Sequence, residues 1–115
     1  MKTYTGGCHC KNITYSVDMD TEIVEATECN CSICESKGSL LVFVPKEQFI
    51  LENPNDSLVE YQFNKKAIRH YFCNTCGVAT HGEGVEHPSV ALNVRTVDGM
   101  DIQGIRRNHY NGKDI

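Results

Sequence analysis

Seven cysteines in three tight clusters constrain this chain more than anything else in it: Cys8-x-Cys10, Cys29-x-Cys31-x-x-Cys34 and Cys73-x-x-Cys76. Thiols at that density must be oxidised in pairs, bound to metal, or kept in a reducing compartment. An odd number fits poorly with a fully paired disulfide framework. The first ten residues, MKTYTGGCHC, lack the apolar stretch of a secretion signal. The expected compartment is therefore the cytoplasm, where thiols stay reduced or ligate metal. Thiolates are good zinc ligands, and a structural zinc site is usually a closed tetrahedron of four.

Composition narrows the remaining classes. A length of 115 residues predicts one domain spanning 1–115, with a modest core. The net charge of -4 offers no basic field for nucleic acid or anionic lipid. No run of about 18 apolar residues is present, so no membrane span is expected.

The spacing leaves two ways to close a four-cysteine site. YFCNTCG reads as a zinc knuckle: a strand-like run delivers Cys73, and Gly77 after Cys76 permits a positive φ. Cys73 and Cys76 can be joined to Cys8 and Cys10, which leaves Cys29, Cys31 and Cys34 as a three-ligand site. Alternatively they join Cys31 and Cys34, which strands Cys8, Cys10 and Cys29. Three protein ligands with one open position is the pattern of catalytic zinc. A second structural zinc completed by a histidine fits the same spacing.

The rest of the chain reads as β. Residues 13–17, 40–44, 58–63, 67–72 and 89–97 are rich in β-branched and aromatic side chains. LENPNDS, GEGVEHP and VDGM punctuate them as turns. One short helical piece is expected at 32–37, and no longer stretch holds a 3.6-residue apolar period. The expectation is a small all-β domain whose cysteine-bearing loops meet at one end of the sheets.

GGCHCKNITYSV, CNCSIC, YFCNTCGVATH, ALNVRTVDGMDI and HYNGKDI occur in that order. From Gly6 to Lys113 the chain resembles the glutathione-dependent formaldehyde-activating (Gfa, or CENP-V-like) family. The resemblance implies the Mss4-like fold, a small β-sheet domain with zinc-binding loops. It also implies two zinc ions per chain. Cys8, Cys10, Cys73 and Cys76 would hold a structural zinc, and Cys29, Cys31 and Cys34 a catalytic-type zinc. The activity implied is condensation of formaldehyde with glutathione to S-hydroxymethylglutathione, a carbon–sulfur lyase-type reaction, or handling of a related thiol–aldehyde adduct. Zinc would lower the pKa of the entering thiol or polarise the aldehyde oxygen.

Other polar residues carry weaker indications. His81, in CGVATHGEG, is a candidate proton relay, weighed against a hydrogen-bonded loop histidine. His9 is expected to point away from the metal and His70 to sit on a strand surface, while His87 and His109 carry no local indication. Glutathione has two carboxylates, so its pocket needs cations. Arg95 is the first candidate, with Arg69, Lys65 and Lys66 second. Asn93 and Asp98 are expected to shape a strand end and its turn. Glu35 beside Cys34 is a poor neighbour for an anionic zinc–thiolate site unless it faces solvent. The competing reading is a non-catalytic zinc module that recognises a partner protein, which calls for an exposed apolar patch.

Overall fold

The computed structural model describes residues 2–30, 32–52, 57–62, 68–84 and 89–110. Alternation in its second strand builds the first hairpin. Strand β1 (Lys2–Gly7) pairs antiparallel with β2 (Thr14–Met19), from Lys2 opposite Met19 to Gly7 opposite Thr14. In TYSVDM the period of two turns Tyr15 and Val17 inward, both buried. Strand β3 (Glu25–Cys29) leads into helix α1 (Ser32–Lys37), which Gly38 ends at φ 68°. Strands β4 (Leu41–Pro45), β5 (Phe49–Leu51), β6 (Leu58–Tyr61), β7 (Ile68–Cys73), β8 (Ala79–Gly84), β9 (Ser89–Asn93) and β10 (Arg106–Tyr110) follow.

Two sheets result among the described residues: a three-stranded one in the order β1-β2-β5, and a seven-stranded one in the order β10-β3-β4-β9-β8-β7-β6. Their inner faces share one core, in which Tyr15 and Val17 of the small sheet meet Leu40, Val44, Val90, Leu92 and Val94. A ladder of rings crosses between them. Tyr15 stacks on Phe49 at 5.2 Å, Phe49 lies 4.6 Å from His81, and His81 stacks on Tyr71 at 4.8 Å. A smaller cluster of Cys8, Ile13 and Cys73 packs with Leu51, Leu58, Cys76 and Val78 at the cysteine-bearing turns.

The all-β expectation and the short helix at 32–37 match the structure. The strand expected over 89–97 stops at Asn93. There the Asn93 side chain accepts the Arg95 N–H at 3.3 Å, and a 3-10 turn runs over Val94–Thr96. GEGVEHP is not all turn, because Gly82–Gly84 belong to β8, while 85–88 lie outside the described residues. Phe63 and Ala67, expected at strand ends, also lie outside them. Among the described residues no helix is long and apolar enough to cross a membrane.

Candidate metal centre and thiol pocket

Two tight turns, one from each sheet, bring four sulfurs together. The β1–β2 turn carries Cys8 and Cys10, and the β7–β8 turn carries Cys73 and Cys76. The Sγ atoms of these four residues all lie within 4.8 Å of one another, with Cys8–Cys10 and Cys10–Cys73 each at 3.6 Å. Ligands about 2.3 Å from a tetrahedral zinc stand about 3.8 Å apart, so the donor set and spacing fit one such ion. The four cysteines could therefore hold a metal ion, and the six described cysteines are all thiols rather than disulfides.

The β7–β8 turn is built to favour thiolates at Cys73 and Cys76. Cys73 N–H donates to the Val78 carbonyl at 3.1 Å, and Gly77 N–H returns to the Cys73 carbonyl at 2.8 Å. Thr75 N–H donates to Cys73 Sγ at 3.3 Å, and Ile13 N–H to Cys8 Sγ at 3.4 Å. The residue after each second cysteine is left-handed: Lys11 at φ 66° and Gly77 at φ 80°. The Asn12 amide ties the turns together, donating to Thr75 Oγ1 at 3.2 Å and Ser57 Oγ at 3.4 Å. Backbone N–H groups of Cys10 and then Val78 hold the Cys76 thiol down to about 6. At Cys73, desolvation opposes ionisation but the N–H groups of Cys76 and Thr75 prevail and lower it. At Cys10 the Asn12 N–H favours the thiolate, yet desolvation and the three neighbouring sulfurs push the thiol up to about 11. His9 is exposed beside the cluster.

The other cysteines lie elsewhere. Cys29 ends β3 and Cys34 sits in α1. Both line a cavity of about 460 Å³ with Glu28, Glu35, Arg95, His109 and Tyr110 among its walls. Cys31 lies outside the described residues. Arg95 is exposed, and its Nε donates to the Gly38 carbonyl at 2.8 Å, which ties the end of α1 to the end of β9. Asn93 fixes that corner by donating from Nδ2 to the Ala79 carbonyl at 2.8 Å. Asp98 takes Lys11 Nζ at 3.2 Å and Thr5 Oγ1 at 3.3 Å. Glu35 is exposed at the cavity wall.

His81 is not among the residues lining that cavity. It is buried on the inner face of the large sheet, its Nδ1 within 2.9 Å of Thr80 Oγ1, and burial lowers its pKa to about 4. His70 is half-buried on β7, and burial followed by the charge of Lys37 lowers its pKa. Arg69 pairs with Glu60 at 3.6 Å, away from the cavity, while Lys65, Lys66 and His87 lie outside the described residues. Sequence reasoning missed His109, Tyr110 and Glu28 as cavity residues. β10 is polar and wholly exposed, so no periodicity marks it. Only the HYNGKDI stretch pointed there.

Two packed sheets with a cluster of four thiols that could hold a metal ion, and a second, cysteine-lined pocket, define a class of small cysteine-rich β proteins. Within that class, the model of the glutathione-dependent formaldehyde-activating enzyme family matches residues 3–110, and the chain belongs to that family. It is similar to a Penicillium rubens protein provisionally named as a glutathione-dependent formaldehyde-activating enzyme, 26% identical over 117 aligned positions that take in 96% of this chain. The chain spans only 61% of that relative's length. A crystal structure of a Rhodobacter sphaeroides protein superposes with a TM-score of 0.81 at 26% identity, covering 92% of this chain and 99% of that one.

Proposed function

We propose that this protein is a zinc-dependent enzyme of the carbon–sulfur lyase type that joins glutathione to formaldehyde, giving S-hydroxymethylglutathione. One observation carries the reading: in a chain of this family, Cys29, Cys34 and Arg95 line a single cavity. Two zinc ions are assigned per chain. Cys8, Cys10, Cys73 and Cys76 would hold the structural one, and Cys29, Cys31 and Cys34 the one in the cavity. The cavity zinc would supply a lowered thiol pKa, so that glutathione is held as the thiolate at neutral pH. Arg95, fixed at its Nε, keeps its outer guanidinium N–H groups for a substrate carboxylate. Such thiolate chemistry suits the reducing cytoplasm.

The condensation also runs without catalyst, so the test is the rate above the spontaneous one. Zinc-loaded protein, with about two zinc per chain by elemental analysis, should accelerate loss of free formaldehyde in the presence of glutathione. Cys34→Ser should lose one zinc and the acceleration, and Arg95→Ala should raise the glutathione KM while sparing a small uncharged thiol. A two-zinc chain that gives only the spontaneous rate would sink the reading.

A second reading has one observation of its own. The ladder aligns Phe43, Ala91, Gly82, His70 and Tyr61 across the outer face of the large sheet, with Ile68 two residues from His70. Phe43, Tyr61 and Ile68 are 58%, 49% and 46% exposed. Exposed apolar side chains on one sheet face are what a partner-binding zinc module would present.

A further inference from the structure

We infer that Asn93 is the positioning residue that makes Arg95 a fixed clamp for a carboxylate, so that the cavity selects thiols carrying a carboxylate at a set separation from sulfur; this rests on the reading of that cavity as a thiol site. The chain itself shows why a residue is needed there. SVALN is a strand up to Asn93, and the next three residues form a 3-10 turn. An extended residue advances roughly 3.3 Å and a 3-10 residue roughly 2.0 Å, so two extended residues would carry Arg95 about 3 Å further along. Asn93 makes the chain turn instead. Its Oδ1 accepts the Arg95 N–H at 3.3 Å, a donor that the start of such a turn leaves without a backbone partner.

The mount reaches into the core. The other end of the Asn93 amide, Nδ2, donates to the Ala79 carbonyl at 2.8 Å and ties the turn to β8. Thr96 Oγ1 donates to the Asn93 carbonyl at 2.7 Å, and the fully buried Tyr15 hydroxyl stands 2.7 Å from the same oxygen. The Val94 N–H donates to the Leu40 carbonyl at 2.8 Å. Asn93 is 8% exposed and is not among the residues lining the cavity, so it acts through Arg95 and not on the substrate. Arg95 is what the mount presents. Its Nε donates to the carbonyl of Gly38, the residue that ends the helix carrying Cys34. The described residues give its Nη atoms no ion pair and no hydrogen bond, although Glu28 and Glu35 line the same cavity.

Cys34 and Arg95 therefore share one frame: the helix end, the Gly38 carbonyl and the turn at Asn93. The separation between the thiol-binding cysteine and the guanidinium is set by backbone and by buried hydrogen bonds, not by the reach of a free side chain. With Nε held, the two Nη groups form an end-on fork that matches a carboxylate. A clamp ordered beforehand loses less side-chain freedom on binding than a loose arginine does. Without the Asn93 cap the turn frays and Arg95 must be ordered by the ligand. A thiol with no carboxylate makes no use of the clamp and is indifferent to its position.

A double-mutant cycle tests the coupling. Zinc-loaded wild type, Asn93→Ala, Arg95→Ala and the double variant are compared for formaldehyde loss above the spontaneous rate, with glutathione and with mercaptoethanol. Arg95→Ala should raise the glutathione KM about tenfold, the size of a lost charge-assisted hydrogen bond. Asn93→Ala should raise it several-fold, in KM and not in kcat, while mercaptoethanol kinetics do not separate it from wild type. The double variant should be no worse than Arg95→Ala, because Asn93 acts only through that side chain. Asn93→Ser, whose hydroxyl can take the Arg95 N–H, should return the KM most of the way to wild type. Circular dichroism and zinc content check each chain. Where the alanine chain does not fold, Asn93→Gly, the milder loss at a capping position, takes its place in the cycle. An unchanged glutathione KM in the Asn93 variant, additive effects in the double variant, or an equal rise with mercaptoethanol overturns the positioning role and leaves the thiol-site reading standing. An unchanged glutathione KM in Arg95→Ala overturns the clamp itself. No acceleration by the wild-type protein overturns the inference together with the reading it rests on.

Discussion

At the scale of single residues, His81 shows how burial writes a pH dependence into stability. It is 6% exposed in the ring ladder between the sheets. Burial lowers its pKa from 6.5 to about 4, and the charge of Glu83 opposes this only in part. The unfolded chain therefore takes up a proton near 6.5 that the folded chain refuses until about 4. Stability is full above the unfolded value and is lost as pH falls through this window, by up to about 3 kcal/mol. Acid also displaces metal from thiolates, so the His81 contribution is read as a difference between two chains. His81→Phe keeps a ring between Phe49 and Tyr71 and cannot titrate. Denaturant midpoints from neutral pH down to the acid end of the window should fall more steeply for wild type than for His81→Phe. Parallel losses would assign the acid sensitivity to other groups.

At the scale of elements, the two cysteine turns solve the same geometric problem with different residues. Each needs a left-handed residue after its second cysteine; the β7–β8 turn uses Gly77 and the β1–β2 turn uses Lys11. A side chain at positive φ costs about 1 kcal/mol, and glycine avoids that cost. A Cβ at Gly77 would meet nothing within 4 Å, so Gly77→Ala isolates the backbone term. Gly77→Ala should destabilise by about 1 kcal/mol, and Lys11→Gly should stabilise by roughly 0.5–1 kcal/mol. The Lys11–Asp98 pair is more than half exposed at both ends, so its loss in Lys11→Gly offsets little. Thermal melts of the two variants should move in opposite directions, and a less stable Lys11→Gly would refute the symmetry. The same elements show what was legible in sequence. β2, β4, β7 and most of β9 were visible, because runs such as LLVFV and SVALN are rich in β-branched and other apolar residues between turn signals. β1 with its two glycines, β8 as ATHGEG and β10 as RRNHY were not, because pairing partners and not intrinsic preference make them strands. The ligand pairs of the four-thiol cluster were legible from their close spacing, but which two pairs meet came from the family resemblance, because spacing also allowed Cys73 and Cys76 to join Cys31 and Cys34. Glu28, His109 and Tyr110 meet only through the parallel β10–β3 contact between distant parts of the chain, which no local spacing announces.

At the scale of the whole molecule, the two cysteine sites stand in different relations to the fold. The cluster of Cys8, Cys10, Cys73 and Cys76 joins a hairpin of the small sheet to a hairpin of the large one. Cys8 and Cys73 are fully buried there, inside their own apolar cluster. A metal at that point staples the two layers, and in a chain of 115 residues the core alone supplies a limited margin. Metal affinity then becomes folding free energy. The cavity of Cys29 and Cys34 is bounded instead by β3, α1, β10 and the corner at Arg95, so its described walls belong to the large sheet and its attachments. A metal held there organises α1 and the end of β3 without bridging the layers. Cys73→Ser should therefore yield unfolded or insoluble chains, whereas Cys34→Ser should melt cooperatively with one zinc retained. Mild chelation of the wild-type protein, followed by zinc content and circular dichroism together, should remove the first equivalent with the β spectrum unchanged. The second should leave only as that spectrum collapses. Loss of both equivalents with the β spectrum unchanged, or a folded Cys73→Ser chain that has lost zinc, would show that the layers are held by their ring ladder and core without the metal.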